Sequence, residues 1–223
     1  SLIMPLNING TTGISGVDGS VSAPAVTGTD SNTGITFPSA DTIKFSTGGV
    51  ERMAITNSGV SGITPGITMV DQWRLTSSLT LNNLSGNHIT ISTNLERVDS
   101  VGQTTLNGGM THSSGIWTFP ETGIYKVEFV MTALTNSDTN YVDTQMKYDF
   151  DGDGTYVDVA RILQCSLGGN SYTTGYMSSI LDVDNTANCK LLVRGRTSDS
   201  TTTLQGNSGI NYTYFTFTRL GDT

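Results

Sequence analysis

Residues 117–129 read Trp-Thr-Phe-Pro-Glu-Thr-Gly-Ile-Tyr-Lys-Val-Glu-Phe. Pro120 and Gly123 build a turn that delivers the chain into a strand. Tyr125, Val127, Phe129 and Met131 then alternate along one face. Ile124 and Val130 lie on the other, beside Lys126 and Glu128. A strand with apolar groups on both faces has to be covered on both sides. This implies a two-sheet domain that also packs against a neighbour. It points to a subunit of an assembly rather than a lone enzyme.

The rest of the composition agrees with an all-β chain. Only 13% of the 223 residues are charged, 26 are Gly, and Thr, Ser and Asn are plentiful. Such a mixture disfavours helices and favours short strands and turns. The net charge is −8, and the 11 basic residues are scattered along the chain. Nucleic-acid binding needs a basic face to neutralise phosphates, so this class is excluded. No apolar run is long enough to span a membrane, so no membrane insertion is expected. Residues 1–8 lack a signal-peptide pattern. With Ser1 read as the residue left after an initiator Met, the chain is expected to be complete and made in the cytosol. Cys165 and Cys189 are two cysteines, not a disulfide framework. Cys189 alternates with Leu191 and Val193 and reads as a buried thiol, although a bridge stays open.

The texture of the chain changes near residues 62–70. Both Trp, all eight Tyr and five of the seven Phe lie beyond residue 70. The expected division is therefore an N-terminal part, 1–66, and a larger part, 67–223. In the first, Gly10, Gly13, Gly16 and Gly19 recur every third residue. This is collagen-like spacing, but too short and proline-poor for a triple helix, and a Gly-rich extended arm is favoured. Residues 33–57 hold three apolar pairs: Ile35 and Phe37, Ile43 and Phe45, Met53 and Ile55. Each pair is too little for an independent sheet. Three copies around a three-fold axis would supply what one chain lacks, as in a short trimeric β stalk.

The second part reads as strands over 72–76, 88–92, 118–119, 124–132, 141–148, 156–164, 173–181, 190–196 and 211–219. That spacing fits a jelly roll of eight to ten strands. The last segment puts Phe215 and Phe217 on one face and Tyr212 and Tyr214 on the other. One face fills the sandwich. The other meets a subunit, where tyrosine is favoured for its apolar ring and wet hydroxyl. Tyr212, Tyr214, Ile124 and Val130 are thus the expected trimer interface. Loops near 82–88, 103–115, 136–140 and 166–172 are candidates for a contact surface.

Phe119-Pro-Glu-Thr-Gly-Ile-Tyr-Lys-Val-Glu-Phe129 resembles the Phe-x-x-x-Gly-x-Tyr-x-x-x-Phe core of the heads of complement component one-q and the tumour-necrosis-factor-like jelly rolls. The closing Tyr-Phe-Thr-Phe-Thr-Arg-Leu220 sits where those heads end on a central aromatic strand. The resemblance covers about 70–220 and implies a ten-strand jelly roll forming compact homotrimers. The N-terminal part resembles other proteins. Asn9-Gly-Thr-Thr-Gly-Ile-Ser-Gly-Val-Asp-Gly-Ser20, Thr29-Asp-Ser-Asn-Thr-Gly-Ile-Thr-Phe37 and Gly48-Gly-Val-Glu-Arg-Met-Ala-Ile-Thr-Asn-Ser-Gly59 are similar to the openings of virion structural and tail-fibre-like proteins of marine tailed bacteriophages. Members of that group often join such a stalk to a trimeric β head. Only one stalk unit is present here, which implies a short protrusion rather than a long fibre.

The sharpest local motif is Asp149-Phe-Asp151-Gly-Asp153-Gly. Asp at positions 1, 3 and 5 followed by Gly begins like a calcium loop. Position 12, which needs a bidentate carboxylate, is Ala160, and the flanks read as strands. A polar hairpin turn is favoured; a weaker Ca²⁺ site on Asp149, Asp151 and Asp153 stays open. His88 and His112 lack the spaced partners of a zinc site. No nucleophile elbow or phosphate loop is present, so no enzymatic activity and no other cofactor are expected.

These readings converge on a homotrimeric virion surface protein, assembled in the host cytoplasm. Residues 1–66 would attach it to other virion proteins. The head would contact a host surface glycan or protein, as a short tail fibre or spike-type adhesin. The alternative is a capsid decoration protein bound through its N-terminal arm.

Overall fold

The computed structural model describes residues 7–9, 13–15, 18–63, 66–81, 87–107 and 109–223, with backbone alone for 7–9 and 13–15. Every regular element among them is a strand. The chain divides into two compact units, Ser1–Pro65 and Gly66–Thr223.

The first unit is a string of short hairpins. Strands β1 (Asn7–Asn9) and β2 (Gly13–Ser15) pair antiparallel. The backbone is therefore a paired ribbon where an extended arm was expected. The triplet glycines Gly10 and Gly16 lie outside the described residues. β3 (Gly19–Ser20) pairs with β4 (Ala23–Pro24). A five-stranded antiparallel meander follows: β5 (Val26–Thr27), β6 (Gly34–Thr36), β7 (Ile43–Thr47), β8 (Val50–Thr56) and β9 (Gly59–Ser61). Gly48 and Gly49, at φ 59° and 74°, make the two-residue turn from β7 to β8. That left-handed pair matches the twist of the flanking strands.

The second unit is a sandwich of two antiparallel sheets. In chain order its strands are β10 (Met69–Leu75), β11 (Ser77–Thr80), β12 (Ile89–Thr90), β13 (Leu95–Arg97), β14 (Thr111–Ser113), β15 (Ile116–Thr118), β16 (Gly123–Thr135), β17 (Thr139–Asp149), β18 (Val157–Ser166), β19 (Ser171–Val183), β20 (Lys190–Thr197), β21 (Thr203–Asn207) and β22 (Tyr214–Gly221). The seven-stranded sheet runs β11-β21-β16-β22-β10-β13, with β19 on the other edge of β16. The six-stranded sheet runs β14-β15-β20-β17-β18, with β12 beside β20. The chain passes back and forth between the sheets, and the final long strand returns to lie between β10 and β16. This is jelly-roll wrapping. Beyond the eight longer strands, short segments of two to four residues raise the strand count above ten.

The strand β16 alternates buried and half-buried residues over its whole length. Tyr125, Val127, Phe129 and Met131 meet Phe215 and Phe217 of β22, Met177 and Leu181 of β19, and Trp117, Leu191 and Val193 of the facing sheet in one core. Phe215 packs 4.8 Å from Phe129 and 5.1 Å from Trp117, ring centre to ring centre. Each such side chain contributes on the order of 1.5–3 kcal/mol when fully buried. Arg219 ties the end of the chain to the turn before β16: Nε donates to the Thr122 carbonyl at 2.9 Å, and Nη1 donates to Thr68 Oγ1 at 3.0 Å. Cys189 is buried and Cys165 is exposed; both are free thiols.

Three stretches differ from expectation. β22 starts at Tyr214, so Tyr212 sits in the preceding loop, where its carbonyl accepts from Thr132 Oγ1. The expected strand at 118–119 is the hairpin partner Ile116–Thr118. Three short strands, β11, β13 and β21, carry polar sequences whose pairing comes from distant partners, and a fourth, β14, is held by its own hairpin with β15.

Candidate functional site

The residues that stand out by exposure and chemistry belong to surfaces. In the first unit, strand register brings the expected apolar pairs onto one face. Ile35 lies opposite Val26 and Phe45, and Phe45 lies opposite Met53. One step along, Ile43 faces Ile55, which faces Val60. Side chains two apart share a face, so Val26, Ile35, Ile43, Phe45, Met53, Ile55 and Val60 form one apolar surface. The opposite face carries Thr36, Ser46 and Ala54, and these are buried. The arrangement is therefore inverted. Small and polar residues are covered, while Val26 and Val60 remain more than half exposed and Phe37, Ile43 and Ile55 over a third. A contiguous apolar sheet face in water marks an interaction surface.

The second unit has a face of similar kind on the outside of its seven-stranded sheet. Val130 of β16 lies between Tyr176 of β19 and Tyr214 of β22 in the register. Tyr176, Tyr172 and Ile180 are each more than half exposed. Tyr176 Oη donates to Glu128 Oε1 at 2.6 Å, and Lys126 Nζ lies 2.8 Å from the same oxygen. Burial opposes ionisation of Glu128, but these two hydrogen bonds outweigh it and hold the carboxyl below its ordinary value. Of the expected interface residues, Val130 and Tyr214 are neighbours, Ile124 stands at the far end of β16, and Tyr212 is an exposed loop residue. Tyr172, Tyr176 and Ile180 were missed. Their signal was the even-numbered spacing against Gly175, Met177 and Leu181 along β19.

The acidic motif forms the turn between β17 and β18. The three carboxylates come within 4.8 Å of one another. Asp149 is buried, and its two oxygens accept from the amides of Gly152 (2.8 Å) and Gly154 (3.0 Å). Asp151 Oδ1 accepts from the Asp153 amide at 3.2 Å, and Asp153 Oδ1 from the Thr155 amide at 2.6 Å. Each carboxylate thus satisfies the backbone of its own turn. Outward-facing oxygens of Asp151 and Asp153 are the groups that could hold a cation. Ala160, where a calcium loop places its last ligand, is half-buried on β18.

At the opposite end of β17, two of the candidate contact loops meet. The Gly168 amide donates to Asp138 Oδ1 at 2.5 Å, and Ser137 Oγ donates to Asp199 Oδ2 at 2.7 Å. The 103–115 segment is tied to the sandwich instead: Leu106 bridges to Val70, and the Met110 amide donates to buried Asp71 at 2.7 Å. In the loop at 82–88, residues 82–86 lie outside the described residues.

No family model matches the chain, and no curated protein matches it. Among solved structures the chain is similar to jelly rolls of the tumour-necrosis-factor type. For murine APRIL at pH 8.5, the TM-score is 0.47 at 14% identity, with 68% of this chain and 98% of that chain covered. For Eiger TNF from S. frugiperda, the TM-score is 0.47 at 13% identity, with 70% of this chain and 94% of that chain covered.

Proposed function

We propose that this chain is a non-enzymatic, homotrimeric surface protein of a tailed bacteriophage particle. Residues 1–66 attach it to other virion proteins, and residues 67–223 form a head that acts as a short tail fibre or spike-type adhesin. The observation that carries the reading is the uncovered apolar face of the β5–β9 sheet. A single chain leaves Ile43, Ile55 and Val60 in water, and copies of the same face around one axis remove them from it. The aromatic face around Val130, Tyr176 and Tyr214 supports self-association of the head. The phage assignment rests on the likeness of residues 9–59 to virion stalk openings.

Two measurements test this. Light scattering on the purified chain is expected to give about three times the 23.6 kDa of one copy; a single-copy mass removes the trimer. Immunogold labelling of particles is expected to find a few copies at the tail. Dense labelling over the capsid replaces adhesion with decoration, and unlabelled particles remove the virion assignment.

A further inference from the structure

The outer face of the six-stranded sheet is unlike the rest of the molecule. Of the 11 basic residues in a chain of net charge −8, five belong to it: Lys147, Arg161, Lys190, Arg194 and Arg196. The register sets them side by side. Gln145 of β17 lies between Arg161 and Arg194, Asp143 lies beside Arg196, and Asp149 lies beside Lys190. The alternate residues Val142, Met146, Leu191 and Val193 fill the core, which directs this set outward.

Three of these cations have carboxylate partners, which also hold them in place. Asp143 is fully buried beneath them. Its two oxygens accept from Arg161 Nε and Nη2, both at 2.7 Å, from Arg196 Nε at 2.8 Å and from His88 Nε2 at 3.1 Å. One carboxylate therefore fixes two guanidiniums, and the plane of Arg196 also lies over the Tyr141 ring at 5.2 Å. Lys147 pairs with Asp158 at 2.5 Å. Arg194 and Lys190 have neutral partners: Arg194 Nε donates to Gln145 Oε1 at 3.1 Å, and Lys190 Nζ donates to the Thr186 carbonyl at 2.5 Å. Leu163, opposite Asp143, is 62% exposed and gives the patch an apolar floor.

Pre-organised guanidiniums beside an exposed apolar side chain and a tyrosine ring suit a ligand with carboxylates on an otherwise uncharged ring. A nucleic acid is a poorer fit. It presents one phosphate per 1.7 Å or so of duplex, a denser line of charge than a face with three of its five cations already paired can match. We propose that this face binds an acidic polysaccharide, with Arg194 and Lys190 contacting its carboxylates and Arg161 and Arg196 forming a fixed rim. This rests on the adhesin reading and names the class of surface glycan the head recognises.

The test uses the full chain, with polygalacturonate immobilised for biolayer interferometry at about 50 mM salt, where screening is weak. Neutral dextran is the blank. Wild type is expected to bind polygalacturonate and not dextran. Arg194→Gln combined with Lys190→Gln is expected to weaken binding about tenfold or more, with melting and mass unchanged. Arg161 and Arg196 are left intact because removing them strands buried Asp143. Arg52→Gln, in the first unit, is expected to bind as wild type. Absence of wild-type binding overturns the proposal, as does an equal loss in Arg52→Gln, which signals diffuse charge. Equal binding to a DNA duplex overturns it in favour of nucleic acid. Mass measured on the same samples separates the two levels. A trimer that ignores polygalacturonate fails only this inference, whereas a monomer fails the assembly reading itself.

Discussion

Gly123 shows how one residue can be legible while its reason is not. The Pro-x-x-Gly-x-Tyr run marks a turn into a strand. The structure adds that Gly123 has φ 143°, and that a Cβ there would lie 2.5 Å from the Gly221 carbonyl and 2.6 Å from Arg219 Nε. Those partners come from the last strand, so no local pattern announces them. Gly123→Ala meets both a strained backbone and a backbone clash, and is expected to cost about 1–3 kcal/mol or more, read as a lower urea midpoint. Tyr125 beside it is buried, and burial pushes its hydroxyl pKa up to about 12. Asp143 was not legible at all. In Tyr-Val-Asp-Thr-Gln it looks like the wet side of a strand, and its partners stand 18, 53 and 55 residues away. Burial alone would raise this carboxyl, but Arg161, Arg196 and His88 hold it below its ordinary value. Its contribution is present above that ordinary value and is lost as pH falls through the lowered one. Burial also lowers the pKa of His88, more than Asp143 raises it. The unfolded chain therefore takes up that proton first, and stability again falls with pH. Melting midpoints are expected to drop continuously from neutral pH towards pH ~3. Asp143→Asn should start lower and fall less steeply; parallel curves would mean that other carboxylates set the acid limit.

At the level of elements, strands with strong alternation were readable and strands borrowed from distant partners were not. β16 and β20 declare themselves by period two. β11 is Ser- and Thr-rich and β21 is mostly polar; β11 is held by β21, and β21 in turn by β16. The apolar pairs in 33–57 were readable as pairs; their joining into one surface depends on the register, including the irregularity between Phe45 and Ser46. Val60 offers a clean test of that surface. It is 57% exposed in a single chain, where a surface substitution changes stability by about 0.5 kcal/mol or less. Val60→Asp is therefore expected to keep the strand signature in circular dichroism while its assembly comes apart on a milder dilution than wild type needs. The acidic turn tests a different point. Because Asp149 satisfies two backbone amides, Asp149→Ala is expected to destabilise by about 1–3 kcal/mol. Asp151→Ala, on an exposed carboxylate, should change little. Millimolar calcium is expected to leave the wild-type melting temperature where it was; a rise abolished by Asp151→Ala would establish a bound ion instead.

For the whole molecule, what matters is that one chain carries two exposed apolar faces, one in each unit, and that the proposed trimer would bury both. If both join the same three chains, losing one face does not free the subunits. The other holds them at a high effective concentration, on the order of millimolar for short connections. Val60→Asp, or Tyr176→Asp on the head, should then give a weakened trimer whose mass falls only on dilution. Combining them removes both contacts, and the double variant is expected to run as a single chain at every accessible concentration. Because assembly stabilises only folded copies, the melting temperature of wild type should rise with protein concentration, and that of the double variant should not. Light scattering across a dilution series reads the first effect and calorimetry the second. Should Val60→Asp alone yield monomers, the head face contributes no assembly and its tyrosines serve some other contact. Should the double variant remain trimeric, neither face is the interface, and the apolar surface of the β5–β9 sheet must be covered by a different protein.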